Sequence, residues 1–365
     1  EYLQHGADVI VCGEGESTMA ELLPRLLEGD TLASQDLGSV DGIVYREHDQ
    51  GESIRTPPRK LIADLDSLPL ADRDSIDLDR YVGTWRRHHG RGAVSMITAR
   101  GCPFTCRWCS HGVFGFSHRR RSPESTADEL AGIHARYRPD IVWYADDVFT
   151  IHKGWLGKYA EELGKRGLRV PFETISREDR LDEATIKILA QMGCYKLWVG
   201  SESGSQSILD KMDRRTNAER VREMVALLQR YGIEAGVFIM LGYDGEQLED
   251  LEATVDHLRR SVPDEVLTTV SYPIKGTPYY EEVADRIVAP LAWNASSDRD
   301  LWVTGRASQR FYRYATHWIH GEVARERERR RARKRPLHLA RASVRATWGR
   351  WGARLSWGTT SEGAQ

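Results

Sequence analysis

Cysteine is scarce: the 365 residues hold five. A disulfide-stapled scaffold is therefore excluded, and a reducing, cytoplasmic setting is expected. No uninterrupted apolar run of about 18 residues occurs, and mean hydropathy is −0.52, which excludes a membrane-spanning helix. No solenoid-type repeat is present. The sequence opens on Glu1 rather than Met, with no signal-peptide pattern after it, so a fragment of a longer protein is expected. What is present suits a folded chain: 40% hydrophobic and 29% charged residues, and a length that accommodates two or three domains.

Charge is unevenly spread. Between Arg325 and Arg354 stand eleven arginines and Lys334 against Glu326 and Glu328, a net of +10. The overall charge is −2, so the rest of the chain carries −12. Residues Glu322–Arg335 are strong helix formers, and Trp348 and Trp351 share a side on helical spacing. This tail reads either as a solvated arm or as a contact with an anionic membrane surface.

Four segments are expected. Residues 1–50 contain a strand, Ala7–Cys12, a Gly-rich turn and a helix that Gly29 would stop, with a further strand at Ile43–Tyr45. This is one unit of a doubly wound α/β domain whose parallel neighbours would lie upstream. Residues 51–92, rich in Pro, Asp, Arg and Gly, read as a linker with short helical pieces. From residue 93 to 285 strand runs alternate with helices: Val94–Thr98, Ile141–Tyr144, Phe172–Ile175, Lys196–Val199, Val237–Leu241 and Val266–Tyr272. Six βα repeats imply a parallel sheet, open or closed into a barrel. Residues 286–365 form a helical, basic C-terminal region. Its Trp302, Phe311, Tyr312, Tyr314 and Trp318 suit core packing or a cavity wall.

The sharpest signal is Arg100-Gly101-Cys102-Pro103-Phe104-Thr105-Cys106-Arg107-Trp108-Cys109, directly after the first strand of the series. Three thiolates at this spacing can hold a [4Fe–4S] cluster with one iron left open. With His111 they could instead make a Cys3His zinc site, or they could be unrelated buried thiols. Cys12 and Cys194 lie in apolar contexts and read as buried thiols.

This run resembles the cluster motif of the radical S-adenosylmethionine (SAM) superfamily, and the resemblance extends over Ala93–Tyr280. It implies a partial (β/α)6 barrel in which Cys102, Cys106 and Cys109 hold the cluster and SAM occupies the open iron. Trp108 matches the aromatic near the adenine. Asp146 and Asp147, at the end of the second strand, take the place of the family's ammonium ligands; alternatively one caps a helix and the other pairs with an arginine. Ser176 and Arg177, at the end of the third strand, match the position of a SAM carboxylate partner, or Arg177 makes a surface ion pair. Glu202, in Gly200-Ser201-Glu202-Ser203-Gly204, matches the ribose ligand, or the segment is a plain turn. Gly236–Gly245 and Tyr272–Pro278 resemble the motifs of the fifth and sixth strands.

Gly13-Glu14-Gly15-Glu16-Ser17 resembles the last turn of the cobalamin (B12)-binding domain that precedes such a core. The pattern is most similar to uncharacterised B12-binding radical SAM proteins and, more distantly, resembles the anaerobic Mg-protoporphyrin ester cyclase group. The family's Asp-x-His-x-x-Gly cobalt-ligand motif does not occur in this sequence, so cobalamin is expected as a cofactor of the full-length protein.

By this resemblance the chain is an enzyme. One electron, from a flavodoxin- or ferredoxin-type donor, is passed through the cluster and cleaves SAM to a 5′-deoxyadenosyl radical. That radical removes hydrogen from an unactivated carbon of a small molecule, and cobalamin delivers a methyl group. The alternative is cobalamin-dependent oxidation or ring closure without methyl transfer. An alternative of another class is a zinc-containing nucleic-acid-binding protein. No separate RNA-binding module is recognisable, so nucleic acid is not an expected partner. The sequence names no catalytic acid or base, and no substrate. The motifs end near Tyr280, so deletion of residues 325–365 is expected to leave the cluster chemistry intact.

Overall fold

The structure is a computed structural model that describes residues 2–28, 36–46, 51–289, 292, 295, 297–333 and 335–359. In the N-terminal segment, strand β1 (Val9–Val11) is followed by helix α1 (Glu16–Glu28) and strand β2 (Ile43–Arg46). The expected helix stop at Gly29 lies outside the described residues. A third strand, β3 (Ser53–Arg55), comes from the stretch read as linker, and the sheet runs β1-β2-β3 with both pairs antiparallel. The parallel neighbours anticipated for β1 are not among the described residues. Thr56 ties the stretch to β2, accepting from the Ile43 N–H at 3.0 Å and donating to its carbonyl at 3.2 Å. Leu22, Leu37, Val40, Ile43 and Tyr45 form a small core of their own. The linker also carries helix α2 (Leu78–His89), N-capped by Asp77 and stopped by Gly90 at φ 79°.

The central sheet begins at β4 (Ala93–Met96). Next comes a two-residue ladder, β5 (Ala99–Arg100) with β6 (Arg119–Arg120), whose closed loop carries the cysteines. Then α3 (Pro123–Tyr137), β7 (Ile141–Tyr144), α4 (Lys153–Lys165), β8 (Phe172–Ser176), α5 (Glu183–Met192) and β9 (Cys194–Glu202) alternate. They continue through α6 (Gln206–Lys211), α7 (Ala218–Arg230), β10 (Glu234–Leu241), α8 (Leu248–Ser261) and β11 (Glu265–Val270). Strand order is β11-β10-β9-β8-β7-β4, all neighbours parallel. Each strand joins its predecessor, as repeated βα crossovers require, and β4 and β11 do not pair, so the barrel is partial. Local signals set the helix ends: Ser122, an N-cap residue type followed by Pro123 in the first turn, accepts from the Ser125 N–H, and Gly193 ends α5 at φ 103°. β9 is longer than Lys196–Val199, because burial persists through Ser201 and the small residues there admit close neighbours.

Beyond α9 (Pro278–Val283) a short pair, β12 (Ile287–Val288) with β13 (Trp302–Val303), leads to two long helices, α10 (Gln309–Arg330) and α11 (Pro336–Ser356). These overturn the solvated-arm reading. They pack as an antiparallel hairpin through small residues: a Cβ on Gly321 would lie 2.4 Å from the Ala346 nitrogen, and one on Gly349 would lie 2.3 Å from the Trp318 nitrogen. Most of the arginines have partners within the protein. Arg325 pairs with Glu322, Arg330 with Glu326, Arg331 and Arg335 with Glu328, and Arg354 with Glu252 on α8. Arg327 donates to the Pro263 and Asp264 carbonyls ahead of β11. Phe311, Tyr312 and Trp318 are core, while Trp302 and Tyr314 pack against it. Deletion of residues 325–365 would strip this cover, so it is no longer expected to be harmless.

Gly349→Val should overpack the hairpin, at a cost of about 1–3 kcal/mol. The expected outcome is a lower thermal midpoint than wild type, read by circular dichroism.

Candidate functional site

The cysteine loop leaves β5 through Gly101, at φ 83°, where a Cβ would meet the Ser117 carbonyl oxygen at 2.2 Å. Only glycine fits there. The loop is then pinned to the mouth formed by the C-terminal ends of the strands. The Arg107 N–H donates to the Met212 carbonyl at 3.1 Å, and the Tyr279 N–H donates to the Arg107 carbonyl at 3.0 Å. The Arg107 guanidinium pairs with Glu282. Trp108 packs against the cluster of Ile208, Met212, Met240, Tyr243 and Tyr279. All five cysteines are free thiols; Cys102 and Cys106 are half-buried, Cys109 is open at the surface, Cys12 is half-buried and Cys194 is buried.

The three loop thiols feel one another. Although Cys109 is exposed as a residue, the protein around its thiol desolvates it and pushes it upward, with Cys106, Cys102, Asp147 and Glu202 adding to the effect. Burial also raises Cys102 and Cys106, while Arg177 opposes the rise at both. Among the described residues no three His, Cys, Asp or Glu side chains are gathered as a ready metal site. His111 makes a 3.0 Å contact from Nδ1 to the Cys109 carbonyl and stacks on Phe116.

The paired acids part ways. Asp146 is buried and committed within the protein: it accepts from the Thr98 N–H at 2.6 Å, the Thr98 hydroxyl at 2.5 Å, the Ala99 N–H at 3.1 Å and Arg120 Nη2 at 2.7 Å. Burial pushes its carboxyl up and the Arg120 guanidinium down, and the pair opposes both. This is the arginine-paired alternative. Asp147 is exposed, and its charge reaches Cys102, Cys109 and His111.

Ser176 is buried, its hydroxyl 2.5 Å from that of Thr150. Arg177 is not a surface pair. It is buried, lies over the Phe104 ring at 3.8 Å, and places Nη1 3.7 Å from Cys106 Sγ. Its other nitrogens donate to Asp179 and to the Arg214 carbonyl. Glu202 ends β9 at φ 61°, a left-handed conformation that a non-glycine residue adopts at a cost. Burial, then the nearby Glu178, raises its carboxyl to about 8. Its loop is anchored to α8 by Ser201 on His257 and by the Gly204 N–H on Thr254.

Sequence reading missed Phe104, Glu178 and Arg214. Arg214 lies 3.8 Å from Glu202 and donates to the Gly200 carbonyl at 2.7 Å. Glu178, beside Arg177, was findable by its place next to a strand-end arginine; Arg214, on a connection after α6, carried no signal.

Of the N-terminal candidates, Gly13 and Glu14 line a cavity of about 400 Å³ with Gly42, Arg55, Arg59 and His111. The carboxylates of Glu14 and Glu16 already have protein partners: Arg100 pairs with both, and Arg119 with Glu14. Gly15 and Ser17 do not line that cavity. A second cavity, about 510 Å³ and largely apolar, lies along β4 between Leu65, Leu68, Leu70, Ile97 and Phe114. The C-terminal aromatics do not line it.

Residues 96–258 match the radical SAM superfamily. The chain carries a radical SAM domain. It is 28% identical over 288 residues to an uncharacterized methyltransferase of Pyrococcus horikoshii, covering 78% of this chain and 60% of that protein. It is 29% identical over 282 residues to the anaerobic magnesium-protoporphyrin IX monomethyl ester cyclase of Rubrivivax gelatinosus, covering 77% and 50%. The chain thus spans about half the length of the curated relatives it matches. In fold it is similar to the radical SAM methyltransferase TsrM of Kitasatospora setae, with TM-score 0.66 and 19% identity over 81% of this chain and 60% of that one. It is also similar to the cobalamin-dependent radical SAM enzyme OxsB, with TM-score 0.70 and 17% identity over 96% and 57%.

The donor set fits the family's cluster. Three soft thiols stand on one short loop, with Arg177 Nη1 3.7 Å from Cys106 Sγ, and thiolates are the usual ligands of such a cluster.

Two outcomes follow from the acids. Asp146→Asn should cost about 3–5 kcal/mol by leaving Arg120 buried without its partner, whereas Asp147→Asn should leave the thermal midpoint unchanged. Equal midpoints for the two variants would contradict this assignment. For Glu202, the folded chain holds a proton that the unfolded chain releases between pH 4.5 and about 8. Its contribution is therefore fully present below pH 4.5 and is lost as pH rises towards 8. Glu246 is also raised to about 8 by burial and acts with the same sign. His118 and His257, lowered to about 4 by burial, act with the opposite sign up to pH 6.5, so Glu202→Gln should reduce, relative to wild type, the loss of thermal midpoint between pH 6.5 and 8.

Proposed function

We propose that this chain is the catalytic core of a radical SAM enzyme whose full-length protein uses cobalamin to methylate an unactivated carbon of a small molecule. The supporting observation is the mouth of the sheet, where the loop carrying Cys102, Cys106 and Cys109 is pinned, Arg177 Nη1 lies 3.7 Å from Cys106 Sγ, and the charges of Asp147 and Glu202 act on the loop thiols. When bound, the [4Fe–4S] cluster and SAM together supply a 5′-deoxyadenosyl radical. The chain's residues do the rest. The three thiolates would hold the cluster. Asp147 would face the SAM ammonium, Arg177 its carboxylate and Glu202 the ribose hydroxyls. Asp146 and Ser176 would act behind them, fixing the β4 and β8 ends, and Trp108 would close the adenine side. Arg55 and Arg59, with Gly13 and Gly42, suit the phosphate-bearing part of a large cofactor such as cobalamin. The apolar cavity beside β4 would take the substrate and exclude water from the radical.

The chain would divide into 1–50, 51–92, 93–285 and 286–365, with residues 51–92 acting as part of the N-terminal unit as well as a linker. The protein would work in a reducing, cytoplasmic setting with a flavodoxin- or ferredoxin-type reductant. Among the described residues no helix is long and apolar enough to cross a membrane. A peripheral contact with an anionic membrane is retained only for the outer face of α11, where Leu337, Val344, Trp348, Trp351 and Leu355 are exposed. Failure to cosediment with anionic vesicles at low salt would remove it.

The likeness to the ester cyclase favours a second reading, oxidative cyclisation without methyl transfer. Anaerobic reconstitution of the full-length protein with mass spectrometry of the products separates the two. 5′-Deoxyadenosine together with S-adenosylhomocysteine supports methylation; the former alone supports oxidation. Replacing Cys102, Cys106 and Cys109 together by Ala should abolish iron uptake, and full retention of iron would sink both readings.

A further inference from the structure

We infer that Glu14 is a positioning residue that clamps the base of the cysteine loop, so that the N-terminal unit sets the placement of the three thiols. For the cluster itself this rests on the radical SAM reading above.

The ladder that closes the loop is only two residues on each side, too short to be stable on its own. Each strand of the ladder sends one arginine to the same carboxylate, while the second arginine of β6, Arg120, goes to Asp146. Arg100, two residues before Cys102, donates from Nη1 to Glu14 Oε1 at 3.0 Å. Arg119, from the returning strand, donates from Nη1 to Oε1 at 2.8 Å and to Oε2 at 2.9 Å. Glu14 Oε2 also accepts from the Ile62 N–H at 2.7 Å, and Arg119 Nη1 donates to the Ile62 carbonyl at 2.6 Å. One carboxylate thus joins the N-terminal turn, the linker and both ends of the loop.

This is not a surface ion pair. The Glu14 side chain is 3% exposed, against 13% for Arg119 and 19% for Arg100. Burial acts to raise its carboxyl, but the Ile62 N–H and the two arginines outweigh it and hold the group below the usual carboxylate range. Gly13, at φ 80°, makes the turn that aims Glu14 inward, and a Cβ there would sit 3.9 Å from the Val113 carbonyl of the loop itself. Glu16, at 41% side-chain exposure, bonds only Arg100 and is the weaker hold.

A clamp of this kind acts on the loop rather than on the barrel, and the chain contains its own control. Cys194 is buried in the main core, so its reactivity reports opening of the sheet. Cys102 and Cys106 report the loop. The experiment is timed alkylation of the iron-free protein with iodoacetamide, read by peptide mass spectrometry, for wild type, Glu14→Gln and Arg119→Gln. Loss of one partner from a buried pair predicts alkylation of Cys102 and Cys106 faster by on the order of tenfold in both variants. Cys194 should stay as protected as in wild type, and Glu16→Gln should give a smaller effect. In parallel, iron retained after anaerobic reconstitution and gel filtration should fall in Glu14→Gln and recover in part in Glu14→Asp. Unchanged loop reactivity, or Cys194 rising in step with Cys102 and Cys106, would overturn the clamp. A wild-type chain that takes up no iron would instead count against the radical SAM reading, while the alkylation arm still decides the clamp.

Discussion

The loop between Arg100 and Arg119 holds itself with little. Its internal backbone bonds are short-range turns, such as the Cys109 N–H on the Cys106 carbonyl and the Gly115 N–H on the His111 carbonyl. A ligand set needs placement to roughly half an ångström. That accuracy is borrowed from outside: Met212 after α6, Tyr279 and Glu282 in α9, and Glu14 at the far end of the chain. The six-stranded sheet carries the first of these contacts on its C-terminal rim, and the N-terminal turn carries the last. The thiols therefore depend on elements that are distant in sequence and close only in the fold.

Charge at the rim is arranged by burial as much as by pairing. Neighbouring acids have opposite fates because successive residues leave a strand end in opposite directions. Asp146 turns inward, where Thr98, Ala99 and Arg120 satisfy it, and Asp147 turns outward towards the thiols. Glu202, held in a left-handed conformation at the end of β9, and Glu178 beside Arg177 add further buried carboxyls. Ionising one of these groups raises the carboxyl or thiol beside it, as Asp146 does to Asp147 and Glu178 to Glu202. Arg177, stacked on Phe104 and close to Cys106, is the counterweight.

The C-terminal region shows how a charge run misleads. Its arginines looked unpaired because their partners are either a turn away on the same helix or far away in sequence, as Glu252 is from Arg354. Glycines at 321 and 349 carry no charge or hydrophobicity signal, yet they permit α10 and α11 to touch backbone to backbone. A helix that would be a solvated arm alone becomes cover for α8 and the β11 edge.

Features that depend on neighbours along the chain were legible. The βα alternation, the Ser122 cap, the Gly193 stop and the cysteine spacing are set by periodicity, local hydrogen bonds and φ, which act within a few residues. The sequence by itself therefore determined the six parallel units, the three candidate thiol ligands and the approximate places of Asp147, Arg177 and Glu202. Tertiary structure alone decided the antiparallel pairing of β1 with β2, the different fates of Asp146 and Asp147, the arrival of Arg214 beside Glu202, and the capture of Glu14 by Arg100 and Arg119. Each of those outcomes turns on which charge or backbone group meets which across long stretches of chain. A partner's identity is written in the sequence, but the distance between partners is not.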